Sequence, residues 1–194
     1  MVVAHLGNGA SLCAIEGGRS VATTMGFTAL DGVPMGTRCG QLDPGVVLHM
    51  IDTLGMSTAE VAKLLYGNSG LKGMSGVSQD VREIEAAGGE AAERALGYFA
   101  YRVRREIAAL AAAMGGLDAL VFTAGIGENA RGLRARICEG LGFIGVALDQ
   151  ERNAANEPQI SPPGAPVRVL VRRTDEERMI AEHTLGLLRR SADG

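Results

Sequence analysis

A glycine turn flanked by polar side chains lies near the start of the chain. The segment His5-Leu6-Gly7-Asn8-Gly9-Ala10-Ser11 joins two β-prone runs. Glycines at such a junction allow backbone N–H groups to approach a phosphate closely and cradle it. A plain hairpin is the alternative, because Asn-Gly is a very common dipeptide in tight two-residue turns. His5 has the same two interpretations, as a site residue or as a structural residue at a strand end.

A second glycine-flanked segment, Gly36-Thr37-Arg38-Cys39-Gly40, carries one arginine. A guanidinium fixed there can offset the charge that develops on the oxygens of a phosphoryl group during its transfer. The alternative is a solvated loop arginine. Farther along, Asp80-Val81-Arg82 can contact a nucleotide, although Asp80 as a helix N-cap explains the same pattern.

The segment Thr123-Ala124-Gly125-Ile126-Gly127-Glu128-Asn129 follows an apolar strand-like run and precedes a helix. Glycine backbone and a helix N-terminus favour anions and nucleotides. The spacing Gly125-x-Gly127-x-x-Ala130, with Asp149 farther on, also matches a degenerate dinucleotide fingerprint. Hairpin strands precede this segment where a dinucleotide fold has repeated strand–helix units, so the sequence disfavours the dinucleotide interpretation.

Carboxylates follow the last predicted strand, in Thr174-Asp175-Glu176-Glu177. Glu177 fits a capping box with Thr174, and Asp175 suits the positive end of a helix dipole. Glu176 is needed for neither, which makes it a candidate Mg²⁺ ligand, directly or through water. The chain has no G-x-x-x-x-G-K-[ST] phosphate loop and no G-x-S-x-G nucleophile elbow, so nucleophilic hydrolysis has no support.

Hairpin strands followed by strand–helix alternation predict an α/β domain with a mixed sheet. Strands are predicted at Val2–Leu6, Ser11–Glu16, Arg19–Thr24, Leu117–Thr123, Phe143–Leu148 and Val167–Val171. Caps and apolar periodicity predict helices from Pro44 to about Leu54, from Ser57 to Tyr66, from Asp80 to Ala87, from Glu90 to Met114, from Ala130 to Leu141 and from Thr174 to Leu188. Irregular structure is predicted for Met25–Gly45, Gly67–Gly76 and Asn153–Pro166, and a tight turn for Gly125–Asn129.

The composition narrows the class of protein. A net charge of -3 and 4% aromatic residues without tryptophan argue against a surface built to grip nucleic acid. Three cysteines without a C-x-x-C pair are typical of reduced thiols, and three scattered histidines lack metal-ligand spacing. No apolar run approaches the ~20 residues of a membrane span. We therefore expect a cytoplasmic protein without nucleic-acid or membrane partners.

Taken together and in order, His5–Ser11, Met35–Gly40 with Asp43-Pro44, Phe122–Asn129 and Thr174–Glu177 resemble the acetate kinase family. The resemblance implies a ribonuclease H-like α/β domain of the superfamily of acetate and sugar kinases, Hsp70 and actin. It further implies transfer of the γ-phosphoryl group of ATP to acetate, giving acetyl phosphate and ADP, with Mg²⁺, in a homodimeric enzyme.

The resemblance also assigns roles to residues. His5, Leu6, Gly7, Asn8 and Gly9 match the phosphate-binding hairpin, and Arg38 matches the arginine that stabilises the transition state. Asp80, Val81 and Arg82, together with Gly125, Ile126, Gly127, Glu128 and Asn129, match the contacts on the adenosine side, and Glu176 matches the carboxylate that helps to hold magnesium.

Departures from the family pattern are few. The family usually has glycine at Ala124, serine at Cys39, aspartate at Gln41 and asparagine at Asp175. The larger departure is length, because members are about twice as long and this chain resembles only their C-terminal half. The resemblance thus implies that residues 1–194 form a single nucleotide-binding domain without the N-terminal domain, in a fragment, a truncated product or a sequence with a mis-called start.

We expect such a chain to bind nucleotide with little or no turnover, because the acceptor side is mostly in the other half. A non-catalytic nucleotide-binding or dimerisation module is one alternative to acetate kinase. A propionate or butyrate kinase is the other.

Overall fold

A mixed five-stranded sheet forms the centre of the computed structural model, which describes residues 1–192. Its strands follow the spatial order β3-β2-β1-β4-β5. The two hairpins of β1–β3 are antiparallel, whereas β4 pairs in parallel with both β1 and β5. The predicted α/β class with a mixed sheet is confirmed. The strands are β1 (Val2–Leu6), β2 (Ala10–Glu16), β3 (Arg19–Thr23), β4 (Ala119–Thr123) and β5 (Arg168–Val171).

The register of β1 against β4 fixes one edge of the sheet. Val2 lies opposite Leu120, and His5 lies opposite Thr123. Because the pairing is parallel, both strands end at the same edge, and the β1–β2 turn and the segment after β4 meet there. Connections that follow parallel strands at such an edge are the usual position of ligand sites in α/β sheets.

Nine α-helices surround the sheet within the described residues, and local caps explain several of their starts. Asp43 accepts a hydrogen bond from Gly45 N–H ahead of Pro44, and Ser57 and Glu60 form both halves of a capping box. The helices are α1 (Pro44–Asp52), α2 (Thr58–Gly67), α3 (Gly70–Ser75), α4 (Val81–Ala87), α5 (Gly89–Ala113), α6 (Ala124–Asn129), α7 (Arg131–Cys138), α8 (Gln150–Ala154) and α9 (Glu176–Ala192).

The core lies between the long helix α5 and the strands. Apolar side chains at spacings of three and four along α5 are buried, among them Phe99, Val103 and Ile107, each 0% exposed. They belong to one cluster with the inward side chains of β1 and β4, such as Leu6 and Phe122.

Three local predictions were wrong. The segment Gly67–Gly76, predicted as a loop, contains α3. The predicted tight turn Gly125–Asn129 is the short helix α6. The predicted strand Phe143–Leu148 is instead a 3-10 helix, Gly142–Ile144, followed by a single bridge from Val146 to Val167, because Gly145 at φ 87° ends any extended run.

The first turn of α9 also differs from prediction. Asp175, rather than Thr174, caps the helix, since its carboxylate accepts a 3.0 Å hydrogen bond from Arg178 N–H. Thr174 N–H donates instead to Glu128 Oε1 at 3.2 Å. The start of α9 is thereby tied to the end of α6.

The glycine-rich segment Met25–Gly45 has no regular element before α1 but packs against the core. Val33 and Met35 are 0% exposed, and Gln41 N–H donates to Gly32 O at 2.8 Å. A side-chain contact fastens its end, because the buried guanidinium of Arg102 donates to Gln41 Oε1 at 2.9 Å.

Within residues 1–192, no helix combines the length and the apolar character that crossing a bilayer requires.

Replacement of the central α5 aromatic tests this description of the core. Phe99→Ala is expected to lower the free energy of unfolding by about 3–5 kcal/mol, because it leaves a cavity in a packed interior. Phe143→Ala is the matched control, since that ring is 76% exposed, and its effect should stay within about 0.5 kcal/mol. Chemical denaturation of both variants checks this, and equal losses would contradict the packing described.

Candidate functional site

The turn after β1 and the start of α6 contact each other at the shared sheet edge. Gly7 N–H donates to Gly9 O at 2.9 Å, which closes the turn. A Cβ on Gly7 would lie 3.5 Å from the methyl group of Ala124 and 3.2 Å from Gly9 O. The two glycine segments singled out in the sequence are therefore neighbours in space.

Ala124 begins α6 in a left-handed conformation, with φ 63°. That region costs an L-residue with a Cβ roughly 1–2 kcal/mol, and glycine adopts it freely. Apart from its chain neighbours and the backbone of its own helix, no atom of the described residues lies within 4 Å of a Cβ added to the next residue, Gly125. The backbone at the start of α6 is thus not covered by side chains next to Gly125.

Arg38 reaches the same turn from the glycine-rich segment. A Cβ built on Gly9 would lie 3.1 Å from Arg38 Nη2, and Arg38 Nη1 donates to Ala29 O at 2.7 Å. Gly36 N–H donates to Asn8 O at 3.0 Å, and a Cβ on Gly36 would overlap the Asn8 side chain. Close backbone approach therefore places a guanidinium beside the β1–β2 turn.

Helix α3 supports the Arg38 segment from the other side. Leu71 N–H and Lys72 N–H donate to Met35 O and Gly36 O, both at 2.9 Å. These bonds satisfy first-turn donors that no side chain caps. Since the partners come from another segment, sequence reasoning had no local cap by which to find α3.

Arg134 of α7 fixes the other end of α6. The residue is 1% exposed, and its Nη1 donates to Gly127 O at 2.9 Å and to Glu128 O at 2.8 Å. Its Nε donates to Asn153 Oδ1 at 3.0 Å, and its Nη2 donates to Asn156 Oδ1 at 2.7 Å. Burial lowers the pKa of Arg134 to about 10, so the side chain remains a cation at neutral pH.

A cavity of about 450 Å³ lies along α6, between the β1–β2 turn and the start of α4. This volume is within the usual range of small-molecule sites. Eight of the residues proposed from the sequence line it, together with three that sequence reasoning missed. The eight are Gly7, Asn8, Asp80, Val81, Arg82, Gly125, Ile126 and Asn129, and the three are Gln79, Glu85 and Ala130.

Helical spacing was the signal that could have identified one of the missed residues. Glu85 follows Arg82 by three positions on α4, and residues three apart share a helix face. Gln79 and Ala130 directly adjoin segments that were singled out. Arg134, by contrast, has no distinguishing sequence pattern.

The remaining proposed residues have other surroundings. Leu6 is 0% exposed in the core, and an added Cβ on Gly127 would lie 3.3 Å from the Phe122 backbone. Glu128 faces Thr174 and the guanidinium of Arg173, at 4.0 Å. Asp149, which the dinucleotide interpretation required for a ribose, caps α8 through Arg152 N–H at 3.0 Å.

Asp80 and Arg82 form an ion pair at the edge of the cavity. Arg82 Nη2 lies 2.5 Å from Asp80 Oδ2, and Arg82 Nε donates to Asp80 Oδ1 at 3.1 Å. Hydrogen bonds from the Arg82 side chain and backbone hold the pKa of Asp80 at about 2, below its usual range. Asp80 also caps α4, so the structural and the functional interpretation of this residue are compatible.

His5 and Glu176 adjoin the β1–β2 turn. His5 Nε2 lies 3.6 Å from Glu176 Oε1, at the start of α9. Nearby at the end of β4, the hydroxyl of Thr123 is buried and has no hydrogen-bond partner among the described residues. No group of three or more histidine, cysteine, aspartate or glutamate side chains within residues 1–192 has the arrangement of a complete metal cage.

Substitution of Ala124 tests the strain at the start of α6. Ala124→Gly is expected to raise the free energy of unfolding by up to about 1 kcal/mol, because glycine relieves the left-handed backbone. Ala130→Gly is the control in the same segment, and at φ -83° it should destabilise the protein by about 0.4–1 kcal/mol. Denaturation curves that give changes of opposite sign in the free energy of unfolding support the assignment. A destabilised Ala124→Gly protein contradicts it.

A titration tests the Asp80–Arg82 pair. The Asp80 carboxyl is expected to titrate at about pH 2, and Arg82→Ala should move the midpoint up toward the ordinary value of 3.8. Because the folded-state pKa is lowered, the stabilisation is present above pH 3.8 and is lost as the pH falls toward 2. Carboxyl chemical shifts measured by NMR follow this directly. An unchanged midpoint in Arg82→Ala would contradict the pairing, and Arg94→Ala serves as a control.

Comparisons with known proteins all match this chain to one family. Residues 1–182 match the model of the acetokinase family. Acetate kinase from Methylocella silvestris is 60% identical over 188 residues, which are 97% of this chain and 46% of that protein. The crystal structure of Porphyromonas gingivalis acetate kinase has a TM-score of 0.92 and 42% identity, and covers 96% of this chain and 48% of that one.

A propionate kinase from Francisella tularensis is also similar, with a TM-score of 0.88 and 41% identity over 93% of this chain and 47% of that one. The chain thus spans about half the length of the relatives it matches. The match to the family model, which extends over residues 1–182, shows that the chain belongs to the acetokinase family.

Proposed function

We propose that the chain is the nucleotide-binding domain of an acetate kinase, which transfers the γ-phosphoryl group of ATP to acetate and yields acetyl phosphate and ADP. The main observation in support of this proposal is that three segments meet at the shared edge of the sheet. The Gly7–Gly9 turn, the bare start of α6 and the Arg38 guanidinium converge there, beside a cavity of nucleotide-compatible size.

The two ends of the cavity differ in charge, and this difference suits a nucleotide. Its phosphate end is the Gly7–Gly9 turn, where backbone N–H groups and the Arg38 cation favour anions. Its other end, at Asn129 and the Asp80–Arg82 pair, has no net charge from that pair and receives the adenosine. The α- and β-phosphates then lie beside Gly125, where the missing side chain leaves room.

Arg38 stabilises the transferring phosphoryl group. Its Nη2 lies beside Gly9, and the bond from Nη1 to Ala29 O fixes the direction of the guanidinium. A positive charge already fixed in place costs little reorganisation as negative charge develops on the phosphoryl oxygens. A Cβ at position 36 would overlap the Asn8 side chain, and a Cβ at position 9 would lie 3.1 Å from Arg38 Nη2, so a larger residue at either position would displace these side chains.

Magnesium fits the donor set at this end. Mg²⁺ takes one or two carboxylates and completes its shell with water and substrate phosphates, and Glu176 offers one exposed carboxylate beside the turn. Glu176 would hold the ion, and His5 Nε2 lies 3.6 Å from that carboxylate. The ion, when bound, supplies charge neutralisation on the phosphates.

The acceptor is a short-chain carboxylate, and acetate is our first choice. Propionate is the second candidate, because a propionate kinase shares this fold at 41% identity. Family membership supports ATP or ADP as the nucleotide and a cytoplasmic homodimer as the assembly. The acceptor contacts belong mainly to the part of the relatives that this chain does not match.

A chimaera tests the proposal. The chain replaces the matching 46% of Methylocella silvestris acetate kinase, and ATP-dependent acyl phosphate formation is measured with acetate, propionate and butyrate. We expect turnover with acetate first, and Arg38→Ala should lower kcat by about a thousandfold or more, the usual contribution of a transition-state arginine. Arg94→Ala is the matched control, since Arg94 pairs with Glu90 on the outer face of α5.

The isolated chain provides the second arm. It should bind Mg-ADP, while its acetate-dependent ADP release should stay at the level of its own Arg38→Ala variant. A chimaera that is folded but inactive, together with an isolated chain that binds no nucleotide, would overturn the proposal. Nucleotide binding with an inactive chimaera would favour the non-catalytic module.

A further inference from the structure

The cavity along α6 has one carboxylate that the roles assigned above do not use. Glu85 of α4 lines the cavity, and its Oε1 lies 3.6 Å from where a Cβ on Gly132 would be. Glu85 thus faces the start of α7 across the end of the cavity. The Gly7 turn contacts the first residue of α6, whereas the start of α7 follows its last residue, and the helix rises about 8 Å between them. Glu85 is therefore at the end of the cavity remote from the phosphates.

Two cations near that end, Arg82 and Arg136, already have carboxylate partners. Asp80 and Arg82 neutralise each other at 2.5 Å. Arg136 lies 2.8 Å from Glu93, and the hydrogen bond between them is the main reason that the pKa of Arg136 is raised, with a smaller contribution from the charge of Glu85. Within the described residues, Glu85 is exposed and makes no hydrogen bond or ion pair. It is therefore a free acceptor.

A free carboxylate at the base end of a nucleotide cavity selects for hydrogen-bond donors. It accepts from an exocyclic amino group and gains nothing from a base edge without N–H groups. The proposed function already places adenosine at this end. We propose that Glu85 accepts a hydrogen bond from the 6-amino group of adenine and makes the site prefer a purine that carries this group over one that lacks it.

This proposal rests on the proposed nucleotide binding and is tested by a difference between two ligands. ADP is compared with purine riboside 5′-diphosphate, which has hydrogen in place of the 6-amino group and is otherwise the same. Dissociation constants are measured by calorimetry for the full chain, for Glu85→Ala and for Glu83→Ala. Glu83 is the matched control, because it is an exposed glutamate on the same helix that does not line the cavity.

We expect the unsubstituted chain to prefer ADP about tenfold, the factor that one hydrogen bond to a charged group supports. In Glu85→Ala the two ligands should bind within about twofold of each other, and Glu83→Ala should keep the tenfold preference. Because Glu85 is exposed and unbonded, thermal melts of both variants should match the parent.

Four results would overturn the proposal. An unsubstituted chain that binds both ligands equally refutes the role of Glu85 and leaves nucleotide binding intact. Equal weakening of both ligands in Glu85→Ala also refutes it, because the residue would then act on the phosphates or the fold. Tighter binding of GDP than of ADP that is lost in Glu85→Ala assigns the carboxylate to guanine instead. Absence of binding of any nucleotide overturns this proposal together with the nucleotide binding on which it rests.

Discussion

The parallel pairing of β1 with β4 is the constraint on which the site depends. These strands are separated by more than a hundred residues of chain, yet the alignment of His5 with Thr123 brings their ends to one edge. The Gly7–Gly9 turn and α6 can then contact each other. A shift of one residue would also turn the buried side chains of β1 out of the core.

Two buried arginines hold the segments that line this edge, and neither pairs with a carboxylate of the described part of the chain. Arg134 donates to carbonyl oxygens at the end of α6, where the helix dipole is negative, and to asparagine side chains. Arg102 donates to Gln41 and to the hydroxyl of Tyr98, while its Nε is buried without a partner in the described residues. Burying a cation is costly unless its donors are satisfied, so these networks strongly favour one arrangement of their loops.

The distribution of charge along the cavity follows from these positions. At the Gly7–Gly9 end, the Arg38 side chain bonds, among residues 1–192, only to the neutral carbonyl of Ala29 and keeps its field available for an anion. At the other end, Arg82 is matched by Asp80, and the pair presents no net charge. A ligand with an anionic tail and a neutral ring system is complementary to this gradient, which is the physical basis for proposing a nucleotide.

The sequence by itself determined the elements with strong local patterns and the residue types at the site. Hairpin alternation, the caps at Asp43, Ser57 and Asp80, and the apolar period of α5 depend on near neighbours, and so β1, β2, α1, α2, α4 and α5 were predicted to within a few residues. Only the tertiary structure decided α3, α6 and the use of Arg134. Their hydrogen bonds and neighbours come from distant segments, such as the carbonyls of Met35 and Gly36 that satisfy α3, and local propensity contains no information about partners that only folding brings within reach.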